Sequence, residues 1–260
     1  MFRLTREVRL KVAPVDAPAG RNGHVGTPAA DGPFYPIAVR VTLAGRPDAR
    51  SSYVRNIKEV DERVLALGLP GLREALFANR PVGYSKLVRG LFSQLAAAWP
   101  GARLTRLGLV PIAGTEYVAE EGTTVGKLMI RLCHRFEFSA AHRLHNADLD
   151  EAENRRLFGK CNNPLGHGHN YEVQVTLTAA DGQFLPLAEL EQIVEEHAIA
   201  KVDHKNLNLE VAEFAEVNPS VEMIAKVIFG WLKPQLVSLD SVTVWETPRT
   251  WCEYSESDER

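Results

Sequence analysis

Apolar residues recur at every second position in some stretches of this chain and with helical spacing in others, and the pattern runs through twice. Residues 6–12 (Arg-Glu-Val-Arg-Leu-Lys-Val) alternate polar and apolar, which predicts a strand with one buried face. Ala13 to Pro36 is rich in proline and glycine and predicts a long irregular loop. Ile37 to Leu43 resumes the alternation, with Ile37, Val39, Val41 and Leu43 on one side. Gly45 to Asp48 predicts a turn and Ser51 to Ile57 a third strand. Helical spacing follows over Glu59–Leu67 and Gly71–Trp99, the latter with a stripe of Leu72, Leu76, Leu87, Leu91 and Leu95. Leu104 to Val110 predicts another strand, leading to Thr115-Glu-Tyr-Val118.

A polar, glycine-containing stretch, Glu120 to Thr124, marks a boundary, and the pattern then restarts. Lys127 to Phe138 has period two, and His142 to Phe158 is a polar excursion. Tyr171 to Thr178 is a strand with Tyr171, Val173, Val175 and Leu177 on one face, and Asp181-Gly182 is a turn. Pro186 to Ala198 predicts an amphipathic helix. A second helix runs from Ser220 to Leu236, with Asn218 as N-cap and Pro219 at the first helical position. Ser241 to Thr247 closes the set. Val41-Thr-Leu43 echoes Val175-Thr-Leu177, and Thr115-Glu-Tyr117 echoes Cys252-Glu-Tyr254. The shared order of elements is the stronger sign of an internal duplication. We therefore expect an α+β protein of two tandem domains, 1–124 and 125–260, each layering antiparallel strands with helices on one face.

Composition narrows the functional classes. The 260 residues are 45% hydrophobic and 24% charged with a net charge of −3, a globular balance without the basic surplus that nucleic-acid binding shows. No apolar run reaches the length of about 18 residues that suggests a membrane span. The charged beginning, Met1 to Arg9, lacks the apolar core of a signal peptide, which points to the cytoplasm. Cys133, Cys161 and Cys252 are an odd set in a long polypeptide, the pattern of reduced thiols.

The candidate chemistry lies in the second half. His167 and His169 flank Gly168 at the start of a strand, so both rings project from one face and can share a metal ion. With His142, they form a set of three imidazoles and no fourth protein ligand, the arrangement of catalytic zinc. His145 is a rival for His142, and unrelated surface histidines are the plainer alternative. Cys161 sits in a polar loop just upstream, beside Lys160, a cation that favours thiolate over the inert buried thiol that Cys133 and Cys252 suggest. Asp203 and His204 follow a helix and can form a carboxylate-oriented proton acceptor, or simply a helix-ending loop. Glu246 shares a face with Val242 and Val244. It is either a bidentate acceptor for two adjacent N–H donors or a solvated turn residue.

Phe138-Ser-Ala-Ala-His-Arg-Leu-His145, Phe158-Gly-Lys-Cys-Asn-Asn-Pro-Leu-Gly-His-Gly-His-Asn-Tyr171, Val202-Asp-His-Lys-Asn-Leu-Asn208 and Trp245-Glu-Thr-Pro248 together resemble the 6-pyruvoyl-tetrahydropterin synthase family over about Gly126 to Ser255. The resemblance implies a tunnelling fold (T-fold): a four-stranded antiparallel sheet with two helices on one side, assembled into barrels with active sites between subunits. It implies that His142, His167 and His169 hold one Zn2+ per polypeptide, with Cys161 as general base, Asp203 and His204 as its relay, and Glu246 as the pterin anchor. The implied substrate is 7,8-dihydroneopterin triphosphate, brought in with Mg2+ on its triphosphate. Triphosphate is eliminated, and internal redox tautomerisation gives 6-pyruvoyl-tetrahydropterin. The alternatives are 6-carboxy-5,6,7,8-tetrahydropterin synthase, which uses the same fold, metal and substrate, and a non-catalytic zinc- or pterin-binding module.

Two departures qualify the resemblance. Ser220-Val221 stands where the family has paired hydroxyl residues, leaving Ser220 as the one side-chain hydroxyl for a pterin contact there. The first half carries none of the motifs. Aligned on the Val-Thr-Leu strands, Pro33 and Tyr35 fall where His167 and His169 stand, and His24 is isolated. We expect a degenerate, zinc-free first repeat that serves assembly, in a homo-oligomer that is a trimer or a dimer of trimers.

Overall fold

The computed structural model describes residues 1–14, 34–77, 82–122 and 127–256; His24 and Pro33 lie outside them. The protein divides into a first unit of Met1–Cys133 with Thr178–Gln183 and a second of His134–Leu177 with Phe184–Arg260.

In the first unit, β1 (Phe2–Val12) pairs antiparallel with β2 (Tyr35–Gly45) along its whole length, from Phe2 opposite Gly45 to Val12 opposite Tyr35. A helical run follows as α1 (Ile57–Arg63), a π turn (Val64–Gly68) and α2 (Leu69–Phe77). Then come α3 (Tyr84–Ala96), β3 (Ala102–Ile112) and β4 (Thr115–Glu121). The strands lie in the order β1-β2-β3-β4, all antiparallel. Val8, Leu10, Ile37, Val39, Val41, Leu43, Leu107 and Leu109 are buried, as are Val60, Leu72, Val88, Leu91 and Leu95 of the helices. Each such residue stabilises the fold by about 1.5–3 kcal/mol relative to exposure.

The expected strand at Ser51–Ile57 is absent. Asp48 accepts the backbone N–H groups of Arg50 and Ser51, bending the backbone into a turn, and Asn56 then caps α1 by accepting from Lys58 N–H. Alternation of small polar residues is a weaker instruction than these local bonds.

β5 (Leu128–His142) leads into the second unit. There follow α4 (Glu151–Phe158), a 3-10 turn (Gly159–Asn162) and β6 (His167–Ala179). Next come α5 (Leu187–Val194), a π turn (Glu195–Ile199) and α6 (Ala200–Val202). The short β7 (Lys205–Asn206), α7 (Leu207–Glu210), a 3-10 turn (Ala212–Phe214), α8 (Val221–Leu232), β8 (Leu239–Thr247) and β9 (Thr250–Tyr254) complete it. The strand order is β5-β6-β8-β9, with β7 parallel to the end of β5. α8 lies on β8 and β9 and buries Val221, Ile224, Ala225, Ile228, Phe229 and Leu232, the stripe its spacing predicts.

Three local features depart from expectation. The polar excursion after His142 contains α4, nucleated by a reciprocal capping box between Asp150 and Glu153. β9 is a further strand on the outer side of β8. The cap of α8 is Ser220, whose hydroxyl accepts from Met223 N–H, rather than Asn218. Asn218 instead accepts from His145 N–H at 2.8 Å, and Pro219 turns its carbonyl to His142.

Setting aside α4, β7 and α7, which have no counterpart among the described residues of the first unit, both units follow strand, strand, helix with a π turn, helix, strand, strand. Each also has a register shift at the same step of its Val-Thr-Leu echo, between Thr42 and Leu43 and between Thr176 and Leu177.

Candidate metal centre and active site

The ends of β5 and β8 and the start of β6 bring four side chains of the second unit together. One ligand atom from each of His142, His167, His169 and Glu246 lies within 4.8 Å of all the others. His167 and His169 stand on β6 with the same parity as Tyr171, and Glu246 continues the inward face of Val242 and Val244. Gly166 makes the approach possible: its φ is +71°, and a Cβ there would lie 3.0 Å from the carbonyl oxygen of His142.

His142 is fully buried, and its Nδ1 lies 2.7 Å from the carbonyl oxygen of Pro219. A carbonyl only accepts, so Nδ1 carries the proton and Nε2 presents a lone pair. That lone pair faces Nε2 of His167 at 3.1 Å and Oε1 of Glu246 at 3.4 Å; Nε2 of His169 lies 3.5 Å from the same oxygen. Nδ1 of His167 and Nε2 of His169 are buried without a hydrogen-bond partner among the described residues. Burial pulls the pKa of both His142 and His167 below the ordinary imidazole range, with the neighbouring imidazoles adding to the shift. Neutral imidazoles with converging lone pairs are what a cation requires. Tetrahedral zinc with bonds of about 2.0–2.1 Å separates its donors by about 3.3 Å, close to these distances. The residues fit a zinc ion.

Beneath the cluster, Tyr171 is fully buried and stacks on Phe138 with centroids 4.7 Å apart and planes 10° from parallel. Its hydroxyl has no partner among the described residues, and burial, with Glu246 and Cys161 nearby, pushes the phenol pKa far up.

Cys161 lies in the 3-10 turn after Gly159 and is half-buried, with a free thiol. Its carbonyl accepts from Leu144 N–H, Asn162 Nδ2 donates to the Leu144 carbonyl, and Arg143 Nε donates to the Asn162 carbonyl. The cysteine loop is thereby sewn to the segment leaving His142.

Asp203 and His204 are held at the opposite edge of β5. Ser139 N–H donates to Asp203 Oδ1 at 2.9 Å, and His204 N–H donates to the Ser139 carbonyl at 2.6 Å. Nδ1 of His204 lies 2.7 Å from Asp203 Oδ2, and His204 itself adopts a φ of +55°, uncommon for a non-glycine residue. The Ser139 backbone bond, then the His204 ring, hold the Asp203 carboxyl below its usual range. The His204 ring is 83% exposed and, with His169, Asn170, Ser139 and Lys205, lines a cleft of about 530 Å³. The structure therefore gathers the three expected metal ligands and adds Glu246. It forms the Asp203–His204 pair, sets Cys161 on the adjoining loop, and uses the Ser220 hydroxyl as a helix cap. His145 stays out of the cluster, beside Arg143 and Asn162. The Pro219 and Ser139 backbone contacts carried no sequence signal, whereas the parity of Val242, Val244 and Glu246 already put the glutamate on the inward face.

The family model for 6-pyruvoyl tetrahydropterin synthase matches residues 131–257. A human 6-pyruvoyl tetrahydrobiopterin synthase is 43% identical over 123 residues, 45% of this chain and 85% of that protein. A 6-carboxy-5,6,7,8-tetrahydropterin synthase of Haemophilus influenzae is 28% identical over 153 residues, 49% of this chain and all of that protein (100%). Among solved structures, the Caenorhabditis elegans 6-pyruvoyl tetrahydropterin synthase has a TM-score of 0.46 at 36% identity, covering 49% of this chain and 95% of its own. A hyper-thermostable uricase mutant has a TM-score of 0.50 at 10% identity, covering 98% of this chain and 90% of its own, a likeness of fold alone. With the motif-bearing half matching most of the human enzyme's length at this identity, the chain belongs to the 6-pyruvoyl tetrahydropterin synthase family.

Proposed function

We propose that the protein converts 7,8-dihydroneopterin triphosphate to 6-pyruvoyl-tetrahydropterin with loss of triphosphate, in a zinc-dependent reaction. The observation that carries this reading is the convergence of the imidazole nitrogens of His142, His167 and His169 beside the cysteine loop and the Asp203–His204 pair. Zinc bound there supplies Lewis acidity toward the oxygens of the substrate's side arm and the protons beside them. Glu246 accepts the two adjacent N–H groups of the pyrimidine ring, and Ser220 adds a hydroxyl contact at the start of α8. The Cys161 thiolate takes a carbon-bound proton from that side arm as the bond to triphosphate breaks. His204, oriented by Asp203, exchanges that proton during the tautomerisation that follows. Electrons stay within the substrate, so no redox cofactor takes part; Mg2+ accompanies the triphosphate.

Incubation of the zinc-loaded protein with 7,8-dihydroneopterin triphosphate and magnesium, followed by mass analysis, tests this. The 6-pyruvoyl product with free triphosphate is expected. The 6-carboxy product would assign the protein to the other synthase, represented among its relatives by the Haemophilus influenzae protein. No turnover of this substrate, with zinc bound, would leave a non-catalytic binding module.

The two units are, in this reading, tandem T-fold repeats, and the first holds no zinc. Matching the two register shifts puts Tyr35 at the place of His169 and Pro111 at that of Glu246, neither a metal ligand. One zinc per polypeptide is expected, and assembly as a trimer or dimer of trimers; a stable monomer on sedimentation would remove the assembly role of the first repeat.

A further inference from the structure

Glu246 presents a problem that a pterin anchor alone does not explain. Among the described residues, no lysine, arginine or backbone N–H bonds its carboxylate. Its polar neighbours at ion-pair distance are Nε2 of His142 at 3.4 Å and Nε2 of His169 at 3.5 Å. The first of these is a lone pair, because the proton of His142 is on Nδ1 toward Pro219. The carboxylate is only 22% exposed, and its Oε1 converges with the imidazole nitrogens on one point, the placement of a further donor to a shared cation. Three nitrogens and this oxygen would together fill the four positions of a tetrahedral zinc, yet a catalytic zinc keeps one position open. One carboxylate cannot close the metal and hold the pyrimidine at once.

We propose that Glu246 is a carboxylate switch: in the empty site it is the fourth donor to the metal, and an entering pterin draws it onto the ring N–H groups, opening the metal only when substrate is in place. This rests on the proposed function. The device keeps the resting metal closed to water and makes pterin and metal compete for one carboxylate. By linkage, whatever a pterin takes from the metal, the metal takes from the pterin.

Zinc retention measured by chelator competition tests it, with 6-methylpterin as the probe because it has the ring N–H groups but no hydroxyls on its substituent. In the wild-type protein, saturating 6-methylpterin is expected to weaken zinc retention by about 10-fold or more, by analogy with the 10–100-fold loss when a metal's supporting residues are removed. Glu246→Gln is expected to weaken it by a similar factor, with no further effect of 6-methylpterin and an unchanged melting temperature of the metal-free form. Zinc retention indifferent to both the pterin and the substitution overturns the switch, even where the enzyme turns over. If the variant does not fold, the wild-type pterin measurement alone decides. A wild-type protein that binds no zinc would instead overturn the proposed function.

Discussion

Nδ1 of His142 donates to the carbonyl of Pro219, two residues before α8, and that one bond turns the Nε2 lone pair of His142 toward His167 and Glu246. The same economy holds at Asp203, which takes a backbone N–H on one oxygen and His204 on the other. Cys161→Ala should reduce turnover by at least about 100-fold, the usual scale of lost proton transfer, while zinc content stays at the wild-type level. Equal turnover would remove the thiol from the reaction. The acid stability curve reports on Asp203. Its folded pKa is depressed, so its contribution is fully present above the unfolded value of about 3.9 and is lost as pH falls through the lower folded value. Asp203→Asn should therefore flatten the stability loss below about pH 4 in urea titrations at a series of pH values. An unchanged acid limb would show that the pair is not formed in solution.

Elements position the site through their ends. β6 begins at His167 because Gly166 can take a φ of +71° where a Cβ would strike the His142 carbonyl. Gly166→Ala should cost about 1–2 kcal/mol from the left-handed backbone alone and weaken zinc binding as β6 is pushed away. Thermal melts with and without zinc check it, and a variant with wild-type melting and zinc affinity would show the contact to be relaxed. Ser220→Ala removes the α8 cap and should cost about 1 kcal/mol, read as a lower melting temperature. The strands and long helices were legible because their periods of 2 and about 3.6 are written in the order of apolar residues. The turn at Ser51, the capping box of α4 and the cap at Ser220 were not, because each depends on which of several nearby oxygens reaches a particular N–H.

For the whole molecule, zinc that binds only the folded state adds stability as RT ln(1 + [L]/Kd), about 4 kcal/mol at a thousand times Kd. Metal-free protein should therefore melt at a lower temperature, and titrating zinc back should restore the melting point at one equivalent per polypeptide. Saturation at two equivalents would mean that the first unit carries a site of its own. By itself, the sequence determined the periodic elements and which histidines share a strand face, because these follow from local residue order. It also marked Cys161, Asp203 and His204 by motif. Only the tertiary structure decided that Glu246 meets the histidines, that Pro219 sets the tautomer of His142, and that Ser139 clamps the Asp203–His204 pair. Those contacts join residues far apart in the sequence through backbone carbonyls and N–H groups that every residue carries, so no pattern of residue types announces them.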